Sequence, residues 1–168
     1  MPANDRTSVG SGRGDWQTPY SLYAALCSRY RFDFDAFADH DNALCGQYAT
    51  ADGTWQKSVI DKVPVRMSTL DGLLTSWAER RVFLNPPYSR GFLDRVADKM
   101  IDERNNAQVI VGLLPANTDT KWFHALRDVA DITFLPRRVK FVDPDTGREG
   151  GSPPGGSMIV VMKNDWTW

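Results

Sequence analysis

Val82-Phe83-Leu84-Asn85-Pro86-Pro87-Tyr88 decides the fold: three apolar residues suited to a strand run directly into an asparagine and two prolines. Proline has no N–H to give a sheet, so pairing stops there, and its fixed φ stiffens the backbone that follows. Such a loop belongs at the carboxyl end of a strand, where its carbonyl oxygens are held outward as acceptors. Asn85 adds a side-chain carbonyl oxygen and Tyr88 a flat ring. Together they can hold an NH₂ group by its two hydrogens and an attached heterocycle by its face. The tetrapeptide equally suits a plain Pro-rich turn between a strand and a helix.

Downstream of the loop, Phe92, Val96 and Met100 recur on one face and predict a helix from Gly91 to Glu103, completing a strand, loop, helix unit. Gln108 to Leu114 is almost wholly apolar, as expected of a central strand covered on both faces. Next come the loop Pro115-Ala116-Asn117-Thr118-Asp119-Thr120, with Thr118 as a helix N-cap, and a helix marked by Trp122, Phe123, Leu126 and Val129. Ile132–Leu135 predicts a shorter strand. Val139 to Val142, the turn Asp143-Pro144-Asp145-Thr146-Gly147 and a Gly/Pro-rich stretch through Gly156 predict a β-ribbon. Ser157 to Met162 supplies a last apolar strand, with the tail Lys163–Trp168 closing an edge of the sheet.

Upstream, a helix is expected from Pro19 to Arg29, with Thr18 as N-cap and Leu22, Tyr23, Leu26 and Tyr30 on its apolar face. Phe32-Asp33-Phe34-Asp35 reads as a short strand that delivers Asp35 to its mouth, followed by a polar loop through His40, Asp41 and Asn42. Ala43 to Arg81 is the least legible segment: Tyr48, Trp55 and Trp77 are possible packing anchors, Asp71-Gly72 a turn, and 57–69 an elaborated loop. The alternation predicts an α/β fold, a three-layer sandwich around a mostly parallel sheet.

At 168 residues, 42% hydrophobic and 24% charged, the chain fits one domain over 16–168, with insertions near 57–69 and 136–156 and a flexible polar arm over 1–15. No apolar stretch is long enough for a membrane span, and the first fifteen residues lack a secretion signal's apolar middle, so a cytoplasmic protein is expected. Cys27, Cys45, His40 and His124 are too scattered for a structural zinc site, and no metal is expected. A net charge of −1 shows no global attraction to nucleic acid. Local basic candidates are Arg80-Arg81 and the group Arg137, Arg138, Lys140 and Arg148, each equally readable as a solvated face.

In order along the chain, Trp16-Gln17-Thr18-Pro19, Phe34-Asp35 with Asn42-Ala43, Tyr48, Asp71-Gly72-Leu73 with Trp77, Asn85-Pro86-Pro87-Tyr88-Ser89, Leu114-Pro115-Ala116, Thr118-Asp119-Thr120 with Trp122-Phe123-His124, and Gly156-Ser157-Met158 resemble the small DNA N-6-adenine methyltransferases of phages and prophages. The resemblance implies a trimmed Rossmann-like methyltransferase fold in a bacterial host cell. It further implies transfer of a methyl group from S-adenosylmethionine to N6 of a flipped adenine in DNA. Asn85, Pro86, Pro87 and Tyr88 would form the catalytic loop, with Tyr88 stacking on the base and Phe92 or Trp122 as a second wall. Thr18, Asp35, Phe37, Asn42 and Asp71 would contact the cofactor, and Arg137, Arg138, Lys140 and Arg148 the DNA.

The chain departs from the usual pattern in its first cofactor loop, Asp35-Ala36-Phe37-Ala38, which lacks the glycines that let backbone approach a cofactor closely. It is also too short between its first strand and Val82 for two full strand and helix units. Two other functions fit the residues: methylation of cytosine N4, whose amine presents the same two hydrogens, and a non-catalytic phage domain that binds DNA or a host factor.

Overall fold

The structure is a computed structural model that describes residues 16–38, 42–51, 59–60, 63–64, 71–89, 91–143, 146–150 and 154–164. The arm over 1–15, most of the insertion at 57–69, the polar tip at His40-Asp41 and the tail from 165 lie outside them.

The helices are α1 (Tyr20–Tyr30), α2 (Phe92–Glu103) and α3 (Lys121–Arg127). A six-stranded sheet contains β1 (Phe34–Asp35), β2 (Gln47–Tyr48), β5 (Arg81–Leu84), β6 (Val109–Pro115), β7 (Asp131–Phe134) and β8 (Ser157–Lys163), in the order β2-β1-β5-β6-β8-β7. A separate antiparallel pair is formed by β3 (Val59–Ile60) and β4 (Val63–Pro64). β2, β1, β5 and β6 pair in parallel. β8 is reversed between β6 and β7 and antiparallel to both, which leaves β7 pointing the same way as β6. The expected mostly parallel sheet is present, with one reversed strand in its interior.

Side-chain parity explains why β6 and β8 occupy the centre. Ile110 and Leu114 of β6, with Met158, Val160 and Met162 of β8, face Val96 and Met100 of α2 and Phe123 and Leu126 of α3. The alternate residues, Val109, Val111, Leu113, Ile159 and Val161, turn to the opposite face, where Leu22 and Leu26 of α1 pack with Val139 and Phe141. An all-apolar strand is therefore buried twice over, as its composition requires.

Several local expectations change. Pro19, which has no hydroxyl, is the cap residue of α1, while Thr18 is buried one residue earlier and caps nothing. The cap of α3 is Thr120, whose Oγ1 accepts from the Phe123 N–H at 3.3 Å; Thr118 is two residues too early to reach and is exposed. The first strand is shorter than Phe32–Asp35, although Asp33 N–H and Ala36 N–H continue its pairing to Arg81 and Phe83. The ribbon at 139–150 is held by single bridges, Gln17 to Val142 and Val142 to Glu149, because Val139 and Phe141 turn down into the core. Lys163 ends β8 and Asn164 bonds to Gln108, so the described part of the tail closes no edge.

Candidate active site at the carboxyl ends of β1 and β5

The chain leaves β1 toward β2 on one side and later returns through β5 on the other, so the order of the sheet reverses between β1 and β5. Ligands of open α/β sheets bind outside the carboxyl ends of the strands at such a point, because the two connections diverge and leave a crevice. A cleft of about 320 Å³ lies there, lined by Trp16, Gln17, Thr18, Asp35, Phe37, Ala38, Asn42, Leu44, Ala51, Phe83, Asn85 and Pro87.

Thr18, Asp35, Phe37 and Asn42 thus meet Asn85 and Pro87 in one wall, although 67 positions separate Thr18 from Asn85. Pro86 is buried beside it. Asp71 is not a lining residue: its Oδ1 accepts from the Leu73 N–H at 2.7 Å, which makes it a turn-forming acid. Phe92 and Trp122 also pack into the core and are not lining residues, Phe92 meeting the lining Phe37 edge-on at 5.7 Å.

Asp35 is 4% exposed, and its Oδ2 accepts from the Leu44 N–H at 3.2 Å. Behind it, the Tyr23 hydroxyl donates to the Leu44 carbonyl at 2.9 Å and lies 3.3 Å from Cys45 Sγ. Burial pushes the Tyr23 hydroxyl well above its ordinary value and the Cys45 thiol up to about 12. At neutral pH neither adds negative charge to the Asp35 wall.

The amide of Asn85 has a defined orientation. Its Nδ2 donates to the Trp16 carbonyl at 3.3 Å, and since a carbonyl can only accept, Oδ1 is the end turned away from Trp16. Tyr88 is tied down instead: its hydroxyl donates to the Leu113 carbonyl at 3.1 Å, its ring meets Phe141 edge-on at 6.2 Å, and burial raises its pKa. Its half-buried ring is not part of the cleft lining.

The missing glycines of the first loop have a counterpart elsewhere. A Cβ on Gly72 would lie 2.0 Å from the Ala36 carbonyl oxygen and 2.7 Å from the Phe37 ring, so only glycine permits this approach. Trp77, fully buried, donates Nε1 to the Gly72 carbonyl at 3.1 Å and keeps the contact closed. The close approach is made from the far segment onto the loop. Trp16, Gln17 and Phe83 are lining residues that sequence reasoning did not place there; the adjacency of Trp16-Gln17 to Thr18 was the signal that could have found two of them.

Arg137, Arg138, Lys140 and Arg148 are exposed on the ribbon, and Lys140 pairs loosely with Glu149 at 3.7 Å. Arg81 is otherwise engaged: it donates to the Tyr30 carbonyl and to Gln108, while Arg80 lies over the Phe34 ring at 4.4 Å. Both lie at the amino end of β5, opposite the cleft. Among the described residues no group of acidic, Cys or His side chains is gathered to hold a metal, and no helix is long and apolar enough to cross a membrane.

Fold and cleft define an α/β protein with a candidate ligand cleft at the switch point of its sheet. The chain belongs to the DNA N-6-adenine-methyltransferase (Dam) family, whose sequence model matches residues 6–167. It is 27% identical over 165 residues to the DNA N-6-adenine-methyltransferase of Escherichia phage T1, an alignment covering 88% of this chain and 62% of that one. It is 24% identical over 152 residues to the DNA N-6-adenine-methyltransferase of Haemophilus phage HP1 (strain HP1c1), covering 88% of this chain and 78% of the relative. The chain thus spans less than two thirds of the phage T1 protein.

Proposed function

We propose that this protein transfers a methyl group from S-adenosylmethionine to N6 of adenine in DNA, as a trimmed Rossmann-like, three-layer methyltransferase in one domain acting in the bacterial cytoplasm. The observation that carries the reading is that Asn85 and the buried Asp35 line one cleft, with the Asn85 Nδ2 engaged by the Trp16 carbonyl so that Oδ1 is left to accept. The cleft fits the donor: its volume falls at the lower end of the roughly 300–1,000 Å³ of ligand pockets. Apolar walls at Phe37, Leu44 and Phe83 suit an adenine ring and a thioether chain, while Asp35 and Thr18 suit hydroxyls or an ammonium.

S-adenosylmethionine supplies a sulfonium methyl already activated for displacement. The work left to the chain is to orient a weak nucleophile whose lone pair is delocalised into a heterocycle. Asn85 Oδ1 and the Pro86 carbonyl each accept one N6 hydrogen, which favours the tetrahedral nitrogen of the transition state and aims its lone pair. With the donor bound in the cleft, N6 would take the methyl from sulfur as the C–S bond gives way to the C–N bond, and the proton would leave nitrogen for solvent, because the neutral Asn85 amide is no base. The adenine is flipped out of the duplex at a cost of about a few kcal/mol. Tyr88 contributes by bracing the loop through Leu113 and Phe141, and the aromatic residues that line the cleft are Trp16, Phe37 and Phe83. The exposed cations of the ribbon, joined to the cleft wall through Gln17 and Val142, hold the DNA backbone.

The test is incubation of the protein with S-adenosylmethionine and duplex DNA, followed by nucleoside analysis. N6-methyladenine is expected. N4-methylcytosine in its place would reassign the base, and no binding of S-adenosylmethionine by calorimetry would favour a non-catalytic domain. In Asn85→Ala the rate should fall by about 10²- to 10³-fold, as for loss of an interaction made in the transition state, with cofactor affinity nearly unchanged; wild-type turnover would remove Asn85 from the mechanism.

A further inference from the structure

We infer that Trp16 is a positioning residue for Asn85, and that its seat on Gly150 couples the basic ribbon to the orientation of the Asn85 amide. The two ends of an asparagine amide are nearly isosteric and its last torsion is broadly two-fold, so packing alone does not choose which end faces a ligand. Here a main-chain carbonyl chooses: Trp16 O receives Nδ2 at 3.3 Å. The carbonyl is in turn held from two sides. Gln17 exchanges two backbone hydrogen bonds with Val142, both 3.0 Å. The indole lies where only a glycine leaves room, since a Cβ on Gly150 would sit 2.1 Å from Cζ3 and 2.5 Å from Cη2 of Trp16. Gly150 itself is fixed by its N–H to the Phe141 carbonyl at 2.6 Å. The ribbon, which carries Lys140 and Arg148 and directly follows Arg137 and Arg138, therefore reaches Asn85 through one continuous chain of contacts, and a ribbon moved by DNA moves the carbonyl that aims the amide.

Gly150 itself does not line the cleft, and its substitution reaches the site through Trp16. Gly150→Ala forces the indole to shift and takes the Trp16 carbonyl with it. Gly155→Ala is the control in the same Gly-rich stretch, because its nearest new contact is an ordinary 3.9 Å to Asn117 Oδ1. Combining Gly150→Ala with Trp16→Phe removes the outer indole ring that meets the new methyl group, and should restore the seat.

Two readouts separate this inference from the methyl-transfer reading on which its kinetic arm rests. The first needs no activity: the side-chain NH₂ signals of Asn85, identified in NMR spectra as the pair missing from Asn85→Asp, should exchange slowly with solvent in the native protein. They should exchange at the rate of an exposed amide in Gly150→Ala, and slowly again in the double variant. The second is kinetic: kcat should fall by roughly 10- to 100-fold in Gly150→Ala, the scale of a small misplacement of a reacting group, with KM for S-adenosylmethionine within about twofold. Native amide signals and native kcat in Gly150→Ala overturn the inference, as does an equal loss in Gly155→Ala. Should Gly150→Ala not fold, Trp16→Ala carries the same NMR comparison, and protected Asn85 signals there overturn the inference too. Protected signals that respond as described in a protein that methylates nothing would uphold the positioning role and sink the activity.

Discussion

Tyr88 shows how a side chain suited to one role is engaged in another. Its position after Pro-Pro makes it a natural stacking face, yet its hydroxyl bonds to Leu113 in β6 and its ring stands on Phe141. Tyr88→Phe keeps the ring and loses one half-buried hydrogen bond, a cost of about 1 kcal/mol. Thermal melts should show a drop of about 2–4 °C for a chain of this size, with methylation of DNA within about twofold of native. A native melting temperature combined with abolished activity would place the hydroxyl on the substrate instead. Asn85 reads differently: the residue type announced an acceptor, and what the structure adds is the partner that orients it.

Elements carry two further expectations. On the ribbon, Arg138 and Lys140 are exposed, so neutralising both should free about two phosphates of the DNA backbone. The slope of log affinity for DNA against log salt should become shallower by roughly 0.9 for each phosphate freed. Titrations at several salt concentrations that give the native slope would make the ribbon a solvated surface. At the end of α2, the buried Glu103 carboxylate is bonded by Lys99 at 2.7 Å, by Asn106 at 3.3 Å and by the Trp77 backbone N–H. Burial works to raise its pKa, but these donors outweigh it and the net shift is downward. The stabilisation is present above the ordinary carboxylate value and is lost as pH falls through the lowered one. Glu103→Gln should cost about 1–3 kcal/mol in urea unfolding at pH 7 and much less near pH 3; the same cost at both would show that charge is not involved. The bonds converge next to Trp77, whose indole closes Gly72 onto the first loop, so the foot of α2 supports the cleft from a distance.

At the scale of the whole molecule, burial of ionisable groups sets an alkaline limit. The folded protein raises the pKa of Tyr23, Tyr88 and Cys45, the last to about 12 from 9.0. It therefore keeps protons that the unfolded chain releases. This stabilisation is whole below about pH 9 and is lost as pH rises toward 12. Urea midpoints should fall between pH 8 and pH 10.5, and Tyr23→Phe combined with Cys45→Ala should flatten that fall. A midpoint that stays level in the native protein would show that these groups ionise freely when folded.

What the sequence by itself determined rests on short-range physics. Proline has no N–H to donate to a ladder, so β5 ended at Leu84, just before Asn85 and the two prolines; an unbroken apolar run had to be covered on both faces, so Val109–Pro115 had to be central; the period of the apolar residues located the helices to within a residue or two, although the expected caps Thr18 and Thr118 gave way to Pro19 and Thr120. Family membership was legible for the same reason, because its motifs are contiguous. The tertiary structure alone decided whatever depends on residues distant in the chain. The reversed direction of β8 is invisible in its composition, since parallel and antiparallel interior strands are equally apolar. The service of Gly72 to a loop 35 positions earlier, the commitment of Asp71 to its own turn and the hold of Trp16 on Asn85 each depend on backbone atoms. Every residue but proline carries the same backbone groups, so no residue type records which of them will meet.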